Sequence, residues 1–444
     1  MAESADAPAP VRPTTTGGRW FVFAVLALAL VLRLAVVANI QATYAPLTDA
    51  LSFDHIASSL ANGHGYGQAD VPPATGDSAF RAPLYPASLA VVYALFGDHN
   101  WTMGLVENAL LGVLVVALIG VIGAQVWSRR VGAIAMVLAA VHPGMVLVGS
   151  SLQLEPLLVV LCLGALAAAL EHRRAPHGLR WPIVAGVLLG LAALTREQGF
   201  LVVVPVAWLI FTAAPREERR RRRALLGPAL VVLLVAAVVL PWTVRNAVVF
   251  HALVPISTSS GYGLSGTFNE TSVADTVDPG QWRPPQLDPA ASAALVALDH
   301  PTEVDVDRAL RKVSTETMRA HPSYFATLAW WGTVRMFDLQ GGDYSYLLAK
   351  YVPYPDWLTT WAIYGSWVIL ALAIIGAFDR RARRAPIALW AIPLVIYLFT
   401  VLMLPASIRY RASLEPFFVL LASLALLPIV DGVARRFARA PQAP

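Results

Sequence analysis

Nine ionisable residues stand out in this 444-residue chain: Asp49, Asp54, Arg81, Glu155, Arg196, Glu197, Arg245, Arg409 and Arg411. They lie in or beside apolar runs of a sequence that is 57% hydrophobic and only 14% charged. Ionisable groups near a hydrocarbon boundary are expensive and carry function by default. The two residue types also complement each other chemically. A carboxylate takes the proton of a hydroxyl whose oxygen is attacking an electrophilic carbon. A guanidinium presents a planar fork that matches phosphate oxygens and stabilises charge on a departing phosphate. Gathered at one membrane face, these groups fit a substrate that carries its phosphate on a lipid, with a carboxylate close to the reacting carbon.

The elements that must position them follow from composition and charge. So apolar a chain is not an ordinary soluble protein. Runs approaching the roughly 20 residues of a membrane helix recur at Trp20–Ile40, Trp101–Trp127, Val131–Gly149, Leu225–Leu240 and Trp357–Phe378. In lipid each helix pairs its own backbone groups, so an all-α polytopic membrane protein is expected. The net charge of +5 comes from short arginine clusters: Arg12 and Arg19, Arg129 and Arg130, Arg173 to Arg180, Arg216 to Arg223, Arg380 to Arg384, and Arg435 to Arg439. The positive-inside rule places all six in the cytoplasm, with an even number of spans between successive clusters. Two helices broken around "SSLQLEP", a hairpin of two short helices turning at "TREQ", and an outer turn at "IRYR" satisfy that rule. About ten spans result, with both termini cytoplasmic.

The expected organisation is a cytoplasmic tail (1–19), a transmembrane module (20–245) whose first outer loop is 41–100, an outer loop or subdomain (246–355), C-terminal membrane helices (356–430) and a second tail (431–444). Within the second outer segment Val304, Val306, Leu310, Val313 and Met318 recur along one face, which predicts a helix from about Thr302 to Ala320. The first apolar run exceeds a signal-peptide core and reads as a retained span. Cys162 lies within an apolar run and carries no disulfide argument. The Arg219–Arg223 run sets topology or touches anionic lipid, and nucleic acid is not implied.

Each candidate has a plainer alternative. Asp49 suits the N-cap of a helix starting near Ala50, and Glu155 suits a helix N-terminus. Arg196 and Glu197 could neutralise each other at a turn. Arg409 and Arg411 could snorkel to headgroups, and Arg245 could anchor the interface beside Trp242. Arg81 could brace the first outer loop, and Arg33, inside the first span, could pair an acid or touch ligand. Tyr262, among the small residues of "STSSGYGLSG", lies where backbone could approach a sugar, or simply in a loop. Arg196, Arg409 and Arg411 nonetheless oppose the topology, because short outer loops are poor in arginine. His55, His64 and His99 lack ligand spacing, so no histidine metal site is expected. A divalent ion on Asp49, Glu155 and a substrate phosphate stays open.

Six segments in order, "TDALSFDHIASSLANGHGYG", "FRAPLYPASLAVVYALFG", "SLQLEPLLVV", "LTREQGF", "PWTVRNAVVFHALVPISTSSGYGLSGTFNE" and "IRYRASLEPF", resemble the GT-C superfamily of integral membrane glycosyltransferases. The similarity is to its protein O-mannosyltransferase-like and aminoarabinose-transferase-like branch. No single string is specific; their order over nearly the whole chain carries the resemblance. It implies a GT-C fold of about ten transmembrane helices, with a helical first extracytoplasmic loop and a long extracytoplasmic loop before the last three helices. The implied enzyme transfers a sugar, with inversion, from a polyprenyl-phosphate donor to a hydroxyl of a glycan, lipid or protein. By match, Asp49 is the family's essential aspartate and the general base, Glu155 is the second acid, and Arg196, Arg245, Arg409 and Arg411 face the donor phosphate. Ala50 stands where relatives often carry an acid or aromatic residue, so a two-acid motif is absent. Asp54 falls where many relatives have an aromatic, which sets it behind Asp49. The resemblance requires no cofactor. Only Lys312 and Lys350 stand against many arginines and alanines, which suggests a GC-rich bacterium, its inner membrane, an extracytoplasmic site, and mannose or arabinose donors. The rival reading is a carrier or flippase for a lipid-linked sugar. Against it, no internal repeat is visible and the polar residues gather at one face.

Overall fold

The computed structural model describes residues 16–67, 76–176, 178–215, 217, 219, 222–341, 354–404 and 408–439. Most of the first expected tail, the last residues of the second (440–444), parts of the arginine run at 216–221 and the end of the expected long outer loop at 342–353 lie outside these residues.

The described residues form helices and a single isolated bridge, Gly67 to Asp77. In chain order the N-terminal part comprises α1 (Thr16–Ile40), α2 (Asp49–Ala61), α3 (Leu84–Phe96), α4 (Trp101–Val126), α5 (Arg129–Val141), α6 (Pro143–Val148), α7 (Glu155–His172), α8 (Arg180–Thr195), α9 (Gly199–Phe211) and α10 (Leu226–Phe250). The segment after α10 carries α11 (Ser260–Thr267), α12 (Glu270–Ala274), α13 (Pro289–Val296), α14 (Glu303–Ala320) and α15 (Tyr324–Met336). The chain closes with α16 (Asp356–Ala377), α17 (Arg380–Arg384), α18 (Ile387–Met403), α19 (Ile408–Arg411) and α20 (Glu415–Arg439).

Six of these, α1, α4, α7, α10, α16 and α20, are long and apolar enough to cross a membrane, and α8, α9 and α18 are shorter apolar helices. Large apolar side chains point outward along them, among them Phe23 at 65% exposure, Val204 at 74% and Val248 at 67%, as a lipid-facing surface requires. The run expected as one span over Val131–Gly149 is two helices, because Pro143 has no N–H to continue α5 and instead starts α6. The His142 side chain caps that new start, accepting from the Met145 N–H. Small residues let the helices approach closely where lipid gives no hydrophobic drive: a Cβ on Gly376 of α16 would collide with the Leu421 carbonyl of α20, and one on Gly132 of α5 with the Gly120 carbonyl of α4.

Contacts place the arginine-rich loops together. Arg130 pairs with Asp431 at 2.9 Å, and the Trp127 indole donates to the Arg381 carbonyl at 3.0 Å. Helix α14 is held by a capping box between Thr302 and Asp305, with Val304 and Leu310 of the predicted apolar face buried and Val306, Val313 and Met318 half-buried.

Candidate active site

The loop end of the bundle brings together residues up to 360 positions apart. Asp49 is the first residue of α2. It follows Thr48, whose φ of 53° lies in the left-handed region that costs about 1–3 kcal/mol for a non-glycine residue. The Thr48 side chain makes no cap, and the Asp49 carboxylate turns to two arginines instead. Arg81 Nη2 donates to Asp49 Oδ1 at 2.6 Å, and Arg409 Nη1 donates to Asp49 Oδ2 at 2.6 Å. The same Arg409 donates Nε to Glu155 Oε1 at 2.5 Å, so one guanidinium bridges both acids. Arg196, extended at the C-terminal end of α8, donates to Glu155 Oε1 at 3.1 Å. The ring of Tyr410 lies under both, 4.5 Å from the Arg196 guanidinium and 5.6 Å from that of Arg409. Glu155 is buried at the start of α7, where the helix N-terminus also favours an anion.

Three guanidiniums against two carboxylates leave the cluster at +1. Burial alone would raise the Asp49 carboxyl, but Arg81 and Arg409 outweigh it and hold the group well below the usual carboxylate range. Asp49 keeps 27% of its side chain exposed, so the cluster opens toward solvent there, whereas Glu155 at 1% is closed off. Chemically, the arrangement holds an ionised carboxylate beside cations that an incoming phosphate can recruit. Both Asp49 oxygens and one of Glu155 accept from arginine, and no group of three metal-binding side chains occurs among the described residues.

The remaining candidates go elsewhere. Asp54 lies five residues after Asp49, about 140° further round the helix. It is buried against the Tyr93 hydroxyl, the His99 ring and the Trp101 indole, where it ties α2 to the start of α4. Arg245 donates to the Tyr66 and Ser78 carbonyls and to Asp77 at 2.8 Å, clamping the loop between α2 and α3 to α10. Tyr262 packs between Phe80, 6.0 Å away, and Trp282, 5.5 Å away, and Phe80 lies under the Arg81 guanidinium at 4.8 Å. Tyr262 thus stands beside the cluster, stacked on Phe80 and within the field of Arg81 and Asp49. Glu197 does not pair with Arg196; it accepts from the Ser257 hydroxyl.

Arg411 is not brought to Asp49. It is buried in a second charged group, donating to Asp338 at 2.7 Å, to Glu415 at 2.6 Å and to the Met336 carbonyl at 3.0 Å. Glu415 meets His142 at 2.7 Å. Sequence reasoning missed Asp338, His142 and Glu415, which had no signal beyond their presence near apolar runs. It also missed Glu303, whose carboxylate holds Ser78, Ala79 and Thr258 and so fastens α14 to the first loop. Burial raises the Glu303 carboxyl above its ordinary range.

With this geometry in hand, a family model described as dolichyl-phosphate-mannose-protein mannosyltransferase matches residues 80–242. No curated protein matches the sequence. The fold is similar to that of the archaeal oligosaccharyltransferase AglB from Archaeoglobus fulgidus, solved with an inhibitory peptide and a dolichol-phosphate, with TM-score 0.57 and 15% identity over 97% of this chain and 53% of that one. The apo form of the Archaeoglobus fulgidus enzyme gives TM-score 0.57 and 14% identity over 96% of this chain and 53% of that chain. The present chain thus spans about half the length of these relatives. ArnT from Cupriavidus metallidurans bound to undecaprenyl phosphate aligns over 97% of this chain and 82% of its own, at 16% identity and TM-score 0.46. By fold, the chain is similar to these integral membrane glycosyltransferases, and its residues 80–242 match the mannosyltransferase family model.

Proposed function

We propose that the chain transfers a sugar from a polyprenyl-phosphate donor to an acceptor hydroxyl at the extracytoplasmic face, with inversion and with Asp49 as the general base. The observation that carries this reading is the bridge made by Arg409 between Asp49 and Glu155. A donor phosphodiester brings one negative charge to a cluster at +1. It competes for Arg81, Arg196 and Arg409, and as these are drawn to phosphate the proton affinity of Asp49 rises. The acceptor oxygen then bonds to the anomeric carbon while its proton passes to Asp49. The carbon–oxygen bond to phosphate breaks with its electrons staying on the phosphate, whose second negative charge the guanidiniums stabilise.

One further feature supports a lipid donor: the archaeal enzyme of like fold was solved with dolichol-phosphate. Charge compensation in this reading comes from arginine rather than a divalent ion. The test is to offer purified protein in lipid nanodiscs a panel of radiolabelled polyprenyl-phosphate sugars, hexose and pentose, together with glycan, lipid and peptide acceptors. Label should leave the donor for an acceptor. Label that only changes leaflet would make the chain a carrier and refute the reading.

A further inference from the structure

Arg33 takes no part in the proposed reaction. It sits within α1, completely buried, a costly place for a guanidinium in a membrane helix. Its Nη1 donates to the Ala29 carbonyl at 2.9 Å and its Nη2 to that of Met145 at 3.4 Å, but Nε is buried without a protein partner. The surroundings are shaped to this side chain: a Cβ on Gly112 would stand 2.5 Å from Nε, and one on Gly149 2.9 Å from it. Glu155 is the complementary case. Its Oε1 is shared by Arg196 and Arg409, whereas Oε2 is buried without a partner. Both residues line one cavity of ≈ 20 Å³, together with Gly112, Met145, Gly149 and Val159.

A water needs about 10–15 Å³ and at least two polar partners. One buried donor and one buried acceptor on the same cavity meet that need. The signs also select the occupant, since an anion would face the Glu155 carboxylate and a cation the Arg33 guanidinium. We propose that Arg33 is a positioning residue for Glu155, acting through a single water that accepts from Arg33 Nε and donates to Glu155 Oε2. The water fixes the carboxylate from behind, and the carboxylate in turn holds Arg196 and Arg409. Arg196 and Arg409 stabilise the charge that develops on the departing phosphate, so the influence of Arg33, passed through Glu155, falls on that step.

The kinetic part of this inference rests on the transferase reading, while the structural part does not. In a high-resolution cryo-electron microscopy map of the full chain in nanodiscs, a peak is expected within hydrogen-bond distance of both Arg33 Nε and Glu155 Oε2. No peak, or direct contact between the two side chains, overturns the proposal. The Glu155 carboxylate band, identified by its loss in Glu155→Gln, should shift in the infrared spectrum of Arg33→Met. An unshifted band overturns the proposal even if the wild type transfers no sugar. If it does transfer, Arg33→Met should lose about tenfold or more in kcat, the scale of one charge-assisted hydrogen bond, with donor KM unchanged. An unchanged kcat, or a loss confined to KM, refutes it. Should Arg33→Met fail to fold, the wild-type map decides alone.

Discussion

Replacing Arg409 probes the proposed donor site at its centre. Arg409→Gln removes the donor to the buried Glu155 and the donor to the quarter-exposed Asp49, while Arg196 and Arg81 still hold one oxygen of each acid. A hydrogen bond to a buried charge contributes about 1.5–3 kcal/mol, and an ion pair at a partly exposed one about 0–1 kcal/mol, so a stability loss of roughly 1.5–4 kcal/mol is expected. The charge of the cluster falls from +1 to zero, and the leaving phosphate loses one preorganised cation. Losing such a donor costs about 10²–10³ in kcat. Arg409→Lys keeps the charge but cannot span both acids, because an ammonium lacks the planar fork, and it should fall between wild type and Arg409→Gln. Transfer from a radiolabelled donor in nanodiscs, with thermal unfolding measured in parallel, separates the two effects. A kcat for Arg409→Gln within about threefold of wild type, far short of the loss expected for a preorganised donor, would show that Arg409 does not face the phosphate.

The other predictions follow from the same contacts. Arg81 and Arg409 hold Asp49 below the usual carboxylate range, so its pairs add stability above the unfolded value near 3.9 and lose it only as pH falls toward the lower folded value. The stability gap between wild type and Asp49→Asn should therefore be constant above about pH 5 and close only below about pH 4; a gap that closes near neutrality contradicts the pairing. Because a bound donor draws the arginines away, the acid limb of kcat should lie at higher pH than that of kcat/KM, and coincident limbs would argue against donor-triggered release of the base. Arg411→Met takes the guanidinium away from the buried Asp338 and Glu415 and should cost about 3–5 kcal/mol in thermal unfolding with donor KM unchanged. A raised donor KM at normal stability would return Arg411 to the phosphate. Chelators should leave transfer unaffected, and activity lost to EDTA and restored by a divalent ion would contradict charge compensation by arginine.

How far the sequence could reach is clearest in the "IRYR" segment. Its two arginines are alike in composition and in their conflict with the topology, so both appeared to face the same ligand. The segment is a one-turn helix, and two residues along a helix turn a side chain by about 200°. Arg409 therefore meets Asp49 and Glu155, while Arg411 points into the bundle. The same period separates Asp49 from Asp54 on α2, and a one-letter motif does not carry that direction. By contrast, the apolar stripe of α14, the break around "SSLQLEP" and the short hairpin at "TREQ" were readable, because local periodicity and arginine placement fix them. Arg33 lay in plain view as a charge within a span. Its meaning depends on Gly112, Gly149 and Glu155, which only tertiary packing brings to it.

The account stands most directly on Asp49. Wild-type protein and Asp49→Asn, each loaded with one equivalent of radiolabelled polyprenyl-phosphate sugar in nanodiscs, should be mixed with acceptor and followed through a single turnover. The account predicts that both bind donor and that only the wild type passes label to the acceptor. Transfer by Asp49→Asn at the wild-type rate would contradict it.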